Sequence, residues 1–183
     1  MVTTERDEEF RAYVVARRAP LVRTATFLAC GDHHAAEDLV QTALMKMYVA
    51  WPRVRRETAD AYARKALVNA SIDSRRKGWS RHEHSRSELP DVVALDPPVP
   101  SDTEGTVFAA LAALPARMRA AVILRHLCEL SVTETAEALG CSEGTVKSQT
   151  SRALDQLRES LRAAGLPLGS ARSIDEPATA RTS

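Results

Sequence analysis

Aromatic residues are scarce in this 183-residue chain, at 4% of the sequence. Sheets rely on aromatic and β-branched runs to cover a pleated, half-buried surface, so the shortage argues against a β architecture. Cysteine is rare as well. Cys30, Cys128 and Cys141 lie far apart, odd in number and free of CxxC spacing. No disulfide framework fits that pattern, and the five histidines add no metal-ligand spacing to it. All three cysteines read as buried free thiols that pack as small hydrophobes. The opening stretch MVTTERDEEFRAY has no apolar core, so no secretory signal is expected. No run approaches the ~18 apolar residues of a membrane span. Paired carboxylates in a cleft-like pattern, a glycine-rich phosphate loop and a nucleophile constellation are missing too, which argues against a small enzyme. The expectation is a cytoplasmic protein in a reducing compartment, without membrane insertion, metal or cofactor.

Ala, Leu and Arg are abundant, which favours helices. The formal net charge is only +1 but is distributed unevenly. Residues 51–86 hold ten Lys and Arg against four Asp and Glu, whereas residues 87–103 hold four acids and no Lys or Arg. Residues 104–165 are neutral. A positive patch confined to one stretch is what steering towards phosphates requires.

Apolar spacing predicts a first helix from Glu8 to about Cys30, carrying Phe10, Val14, Leu21, Ala25 and Leu28, broken by Gly31-Asp32. The first seven residues read as loose. A second helix runs from about His34 to Trp51 with Ala36, Leu39, Val40, Ala43 and Met47 on one face, ended by Pro52. After the polar segment Arg53–Asp60, a third helix spans about Ala61 to Lys77. Residues 83–103 contain Pro90, Pro97, Pro98 and Pro100 and no sustained period, so they read as a flexible linker, stiffened around its prolines. Helical pattern resumes at Phe108, Leu111 and Leu114. Pro115 then opens a helix bearing Met118, Val122, Ile123 and Leu127. The expected layout is all-α: a helical domain over 8–82, the linker, a second helical domain over 104–165, and a disordered tail over 166–183.

Ser131 to Arg158, SVTETAEALGCSEGTVKSQTSRALDQLR, has the spacing of a helix-turn-helix. Ala136 is the small residue where two helices cross, and Gly140 can take the positive φ that ends the first. Val146 plugs the second helix onto the first. Ser131 with Glu134 forms a capping box, and Ser142 can cap the second helix. Such a unit lays its second helix in the DNA major groove.

Taken in order, AAEDLVQTALMKMYVAW (35–51), AYARKALVNASIDSRRKGWSR (61–81) and the segment from LPARMRAAVILRHLCEL through the helix-turn-helix closely resemble the bacterial extracytoplasmic-function sigma factors. The resemblance covers about residues 8–165. It implies a region 2 helical bundle that binds core RNA polymerase and the promoter element labelled −10, and a region 4 domain that reads the element labelled −35. It also implies an anti-sigma factor as a partner.

Residue by residue, the resemblance places polymerase contacts at Asp38, Leu39, Val40, Gln41 and Met45. Leu39 also belongs to the predicted core stripe, leaving Asp38, Gln41 and Met45 off that face for a partner. The alternative is a plain bundle helix with a solvated acidic edge. For the −10 element the expected residues are Arg53, Arg55 and Arg56 on the loop, and Tyr62, Lys65, Asn69, Asp73 and Arg76 on the third helix. Asn69 offers a donor and an acceptor to an unstacked base edge, and the arginines suit phosphates. Asn69 and Asp73 can equally form a structural pair. Many relatives carry extra aromatics where this helix begins and this chain has only Tyr62, which shifts the burden of melting to the loop and the polymerase. Trp79 can stack on DNA or pack against the helix. On the recognition helix, Ser142, Glu143, Thr145, Lys147, Ser148, Ser151 and Arg152 are the expected −35 contacts. Arg117, Arg119 and Arg125 on the preceding helix are candidate backbone contacts.

A dimeric operator-binding regulator would account for the helix-turn-helix. It would leave 35–81 without a role, and no extended heptad is present to dimerise it.

Overall fold

The computed structural model describes residues 5–82 and 102–166, with side chains from 75 to 82 outside the description. Among the described residues every regular element is helical. Seven α-helices follow in order: α1 Glu5–Leu28, α2 His33–Ala50, α3 Ala59–His82, α4 Asp102–Ala113, α5 Ala116–His126, α6 Val132–Leu139 and α7 Glu143–Ala163. Two short 3-10 turns, Trp51–Arg53 and Arg56–Thr58, connect α2 to α3.

Helix α1 begins three residues before the expected start and runs through Pro20. It ends where Cys30 and Gly31 take positive φ, 58° and 88°. Asp32 then caps α2, its carboxylate accepting from the Ala35 N–H at 2.9 Å. The predicted stripe of α2 is buried throughout: Ala36, Leu39, Val40, Ala43 and Met47. Pro52 does not continue the helix but falls in the first 3-10 turn, which seats Trp51 against Phe10 and Tyr13 of α1. Tyr13 also donates to Asp60 Oδ1 at 3.1 Å, and Arg17 pairs with the same carboxylate at 3.0 Å, tying α1 to the start of α3.

Helix α3 is covered on more than one side. Ala63, Ala66, Leu67, Val68, Ala70 and Ser71 are all buried, and the helix packs on α1 and α2 and also on α5 and α6. Complete burial of a side chain such as Leu67 or Val68 stabilises by roughly 1.5–3 kcal/mol. The bulk of the expected linker and tail lies outside the described residues, and α4 opens at Asp102.

In the second half, Pro115 stands just ahead of α5 as its cap. Gly140 has φ 60° and ψ 45°, the left-handed conformation expected at the end of α6. The capping box is complete: the Glu134 N–H donates to Ser131 Oγ at 3.1 Å and the Ser131 N–H donates to Glu134 Oε2 at 2.8 Å. Ala136 and Val146 are buried where α6 and α7 meet. Buried residues of both halves form one continuous core.

Candidate polymerase and DNA interfaces

Two faces of the molecule carry the side chains that the sequence singled out. The first is an open groove of about 1000 Å³ along α2, bounded by Phe10, Leu44, Met45, Tyr48, Val49, Arg53 and Tyr62. Met45 and Val49 are 64% and 73% exposed, an unusual state for large apolar side chains. Asp38 and Gln41 are exposed on the same helix. Leu39 and Val40, expected in the partner-facing set, are instead buried core residues, at 6% and 2% exposure. Both help to seat α2, and Val40 also lines the floor of the groove.

The rim of this groove is held from α1. Tyr48 donates to Asp7 Oδ1 at 2.7 Å, and Arg6 lies over the Tyr48 ring at 4.7 Å while donating to the Tyr48 carbonyl at 2.9 Å. The bond to Asp7, reinforced by its negative charge, holds the Tyr48 phenol above its usual pKa. Tyr13, beneath the same edge, is raised by burial and then by Asp60.

The expected −10 residues are only partly brought together. Arg53 and Tyr62 line one end of the groove, and Arg55 is exposed beside them. Arg56 is engaged elsewhere, paired with Glu9 of α1, so it braces the loop. Lys65, Asn69 and Asp73 form an exposed row on α3 at spacings of four. Asn69 and Asp73 are not hydrogen-bonded to each other, so the structural pair considered for them does not form. The side chains of Arg76 and Trp79 lie outside the description.

Helix α7 presents the second face. Ser142, Glu143, Lys147, Ser148, Ser151 and Arg152 are exposed, while Val146 and Ala153 are buried beneath them. Ser142 caps the helix, accepting from the Thr145 N–H at 3.2 Å, and its hydroxyl lies 2.9 Å from that of Thr145. Both hydroxyls are thereby oriented at the leading end. Glu143 accepts from Thr133 at 2.7 Å, which fixes α7 to α6.

Arg119 departs from expectation altogether. It is 2% exposed and cannot reach a DNA backbone. Its guanidinium donates to the carbonyls of Leu111 at 2.8 Å, Ala112 at 3.2 Å and Leu114 at 2.9 Å, the C-terminal end of α4, and to Leu28 at 3.0 Å. Leu28 is the last residue of α1. One cation thus meets the partial negative charge of two helix ends, which is how it stays buried beside carbonyl partners. Arg125 donates to the Leu130 carbonyl. Of the three candidate backbone contacts, Arg117 is exposed on α5. The cysteines are free and partly buried rather than fully so.

Comparison with known proteins gives this arrangement a lineage. Residues 13–81 match the Sigma-70 region 2 family and residues 105–157 match Sigma-70, region 4. An RNA polymerase sigma-E factor of Streptomyces avermitilis is 37% identical over 158 residues, covering 84% of this chain and 85% of the relative. The chain belongs to the extracytoplasmic-function sigma factors. The ECF RNA polymerase sigma factor SigE of Mycolicibacterium smegmatis is 30% identical over 81% of this chain and 60% of its own length. Among solved structures, the sigma factor RpoE in complex with the anti-sigma factor NepR from Bartonella quintana superposes with a TM-score of 0.69. It is 29% identical and covers 85% of this chain and 98% of its own. This sigma factor is accordingly a transcription initiation factor that directs RNA polymerase to promoters. No described helix is long and apolar enough to cross a membrane.

Proposed function

We propose that the first half, 8–82, docks on core RNA polymerase through α2 and meets the −10 element through α3 and the preceding loop, while the second half, 104–165, reads the −35 element with α7. The observation that supports the docking assignment is the exposed apolar groove on α2, lined by Gln41 and Met45 among others, with Asp38 exposed on the same helix. Apolar groups supply the energy of such an interface, and an isolated carboxylate sets its register. Arg53, Arg55 and Lys65 supply positive charge to DNA phosphates, and Asn69 offers both a donor and an acceptor to a base edge. On α7, Lys147 and Arg152 are the exposed cations beside the hydroxyls of Ser148 and Ser151. The chain positions polymerase and DNA; the chemistry of RNA synthesis belongs to the polymerase. It acts in the cytoplasm, and the anti-sigma factor bound to the solved neighbour supports the same class of regulator here.

Asp38→Arg tests the docking face. It should lower the affinity of the full-length protein for core polymerase about tenfold while leaving the helical circular dichroism spectrum unchanged, since Asp38 is exposed. Unchanged polymerase affinity in a folded Asp38→Arg protein would remove this face from the interface.

A further inference from the structure

The first turn of α7 holds an acid that the fold explains only in part. Glu143 opens the helix and is exposed, as is Thr133, the second residue of α6. The Thr133 hydroxyl donates to Glu143 Oε1 at 2.7 Å. Lys147 stands one turn further along α7, where an i, i+4 pair with Glu143 would be the ordinary arrangement. Among the described residues, however, no cation pairs with this carboxylate. The bond to α6 fixes one oxygen and leaves Oε2 without a hydrogen-bond partner among the described residues.

Beside this acid the helix is bare. A Cβ on Gly144 would meet nothing nearer than Ser142 Oγ at 3.9 Å, so packing within the chain does not require glycine there. Glycine weakens a helix relative to alanine, and its use at this position leaves room for a base edge to come close. A carboxylate at the leading end of a helix in the major groove is a selective reader. It accepts from the N4 amino group of cytosine, and it opposes the acceptor edges of guanine (N7 and O6) and thymine (O4). A loose side chain would swing away from a wrong base and lose that second effect. One that is held in place keeps it, and the repulsion then counts towards discrimination.

We propose that Thr133, on α6 and outside the reading helix, is a positioning residue for promoter selection: it holds the Glu143 carboxylate so that Oε2 selects cytosine over guanine or thymine at one base pair of the upstream element. The short bond sets the carboxylate before DNA arrives, so no ordering of that side chain opposes binding. Lys147, left unpaired by the same arrangement, stays available to a phosphate.

The inference rests on the reading role proposed for α7, and the measurement separates the two. Core polymerase carrying the full-length protein is bound to a promoter library randomised through the upstream element, and bound and free DNA are sequenced. The parent should favour cytosine at one position by about five- to tenfold, the lower part of the range for a single mismatched base pair. Thr133→Val keeps the shape and removes the hydroxyl, so it should abolish most of that preference and leave the other positions as they were. Thr133→Ser keeps the hydroxyl and should keep the preference. Glu143→Gln retains an acceptor for Thr133 but adds a donor, so it should admit guanine and thymine at the same position. In a Glu143→Ala background, adding Thr133→Val should change nothing further, because the hydroxyl acts only through that carboxylate. Both side chains lie on the surface, so these substitutions leave the helices intact. The positioning role is overturned if Thr133→Val keeps the parent's preferences, if it weakens every position alike as a loosened α6–α7 contact would, or if its effect persists without Glu143. A parent complex with no base preference anywhere in the upstream element would instead overturn the reading role of α7 itself.

Discussion

Replacing Arg119 by Met tests the packing argument most severely, because two large effects oppose each other there. Methionine relieves the desolvation of a buried guanidinium, which in other proteins can make loss of a buried charge neutral or even stabilising. Here the replacement also removes a charged donor from four carbonyls, those of Leu28, Leu111, Ala112 and Leu114, of which Leu111 keeps the Leu114 N–H at 3.2 Å. Two helix ends lose the cation that offsets their dipoles. Hydrogen bonds to a charged group contribute roughly 1.5–3 kcal/mol each, and removing one partner of a buried charged arrangement costs about 3–5 kcal/mol. The acceptors should therefore win. With a urea slope of about 2 kcal/mol/M, the unfolding midpoint should fall by about 1.5–2.5 M. Arg119→Lys keeps the charge but not the planar fork that reaches several carbonyls at once, so it should fall about half as far. Circular dichroism during urea titration measures both. A midpoint within about 0.5 M of the parent for Arg119→Met would refute the reasoning, since it would mean that desolvation cancels the four bonds.

Removing the α6 cap with Ser131→Ala should cost about 1 kcal/mol of stability, read as a lowered thermal midpoint. Glu134 is held below the usual carboxylate range by the Ser131 N–H and then by the Ser131 hydroxyl. Its folded value lies below its unfolded one, so its contribution is complete above the unfolded value and fades as pH falls through the folded one. Glu134→Gln should therefore flatten the acid limb of the stability profile and leave the profile above pH 7 parallel to the parent's. Tyr13→Phe removes the hydroxyl bonded to Asp60, and should cost about 1 kcal/mol in urea unfolding. Lys147→Ala and Arg152→Ala should each weaken promoter binding by the polymerase complex; where the lost contact is to a phosphate, the slope of log affinity against log salt should shrink by about one. An unchanged slope in both variants would remove these side chains from the phosphate contacts.

What was readable in the sequence was what local geometry determines. The core stripe of α2, the left-handed Gly140, both serine caps and the burial of Val146 depend on residues within a turn or two, and each occurs as the spacing suggests. Arg119 could not be read that way. Its partners on α4 and at the end of α1 are fixed by tertiary packing, and Leu28 stands 91 residues away. A signal was present nonetheless: Arg119 lies one residue before Ala120-Ala121-Val122-Ile123-Leu124, an unbroken apolar run that marks the most buried part of α5. The ion pair of Arg56 could not be read for a similar reason, because its partner Glu9 belongs to a helix 47 residues earlier. Leu39 and Val40 show why a motif is read residue by residue: adjacent residues of a helix face different directions, so both are buried while Val40 also lines the groove.

The charge distribution bears on how the two proposed reading faces would divide their work. The stretch 51–86 carries a surplus of six positive charges, whereas 104–165 is neutral. Phosphate neutralisation supplies much of any protein's affinity for DNA, so a neutral half with Lys147 and Arg152 on its reading face should bind an upstream element weakly by itself. Weak binding is useful there. On the proposed roles, once polymerase holds the first half on the promoter, the second searches at the raised effective concentration of a tethered domain. Under that regime a mismatched upstream base, worth about 1–3 kcal/mol, decides occupancy, whereas a strongly basic domain would stay bound to any sequence nearby. Adding positive charge to the exposed face of α7 should therefore raise affinity and erode promoter discrimination together. Competition between matched and mismatched upstream elements, measured on the polymerase complex, would show whether the two change in step. If affinity rose with discrimination unchanged, the neutrality of this half would have no part in selectivity.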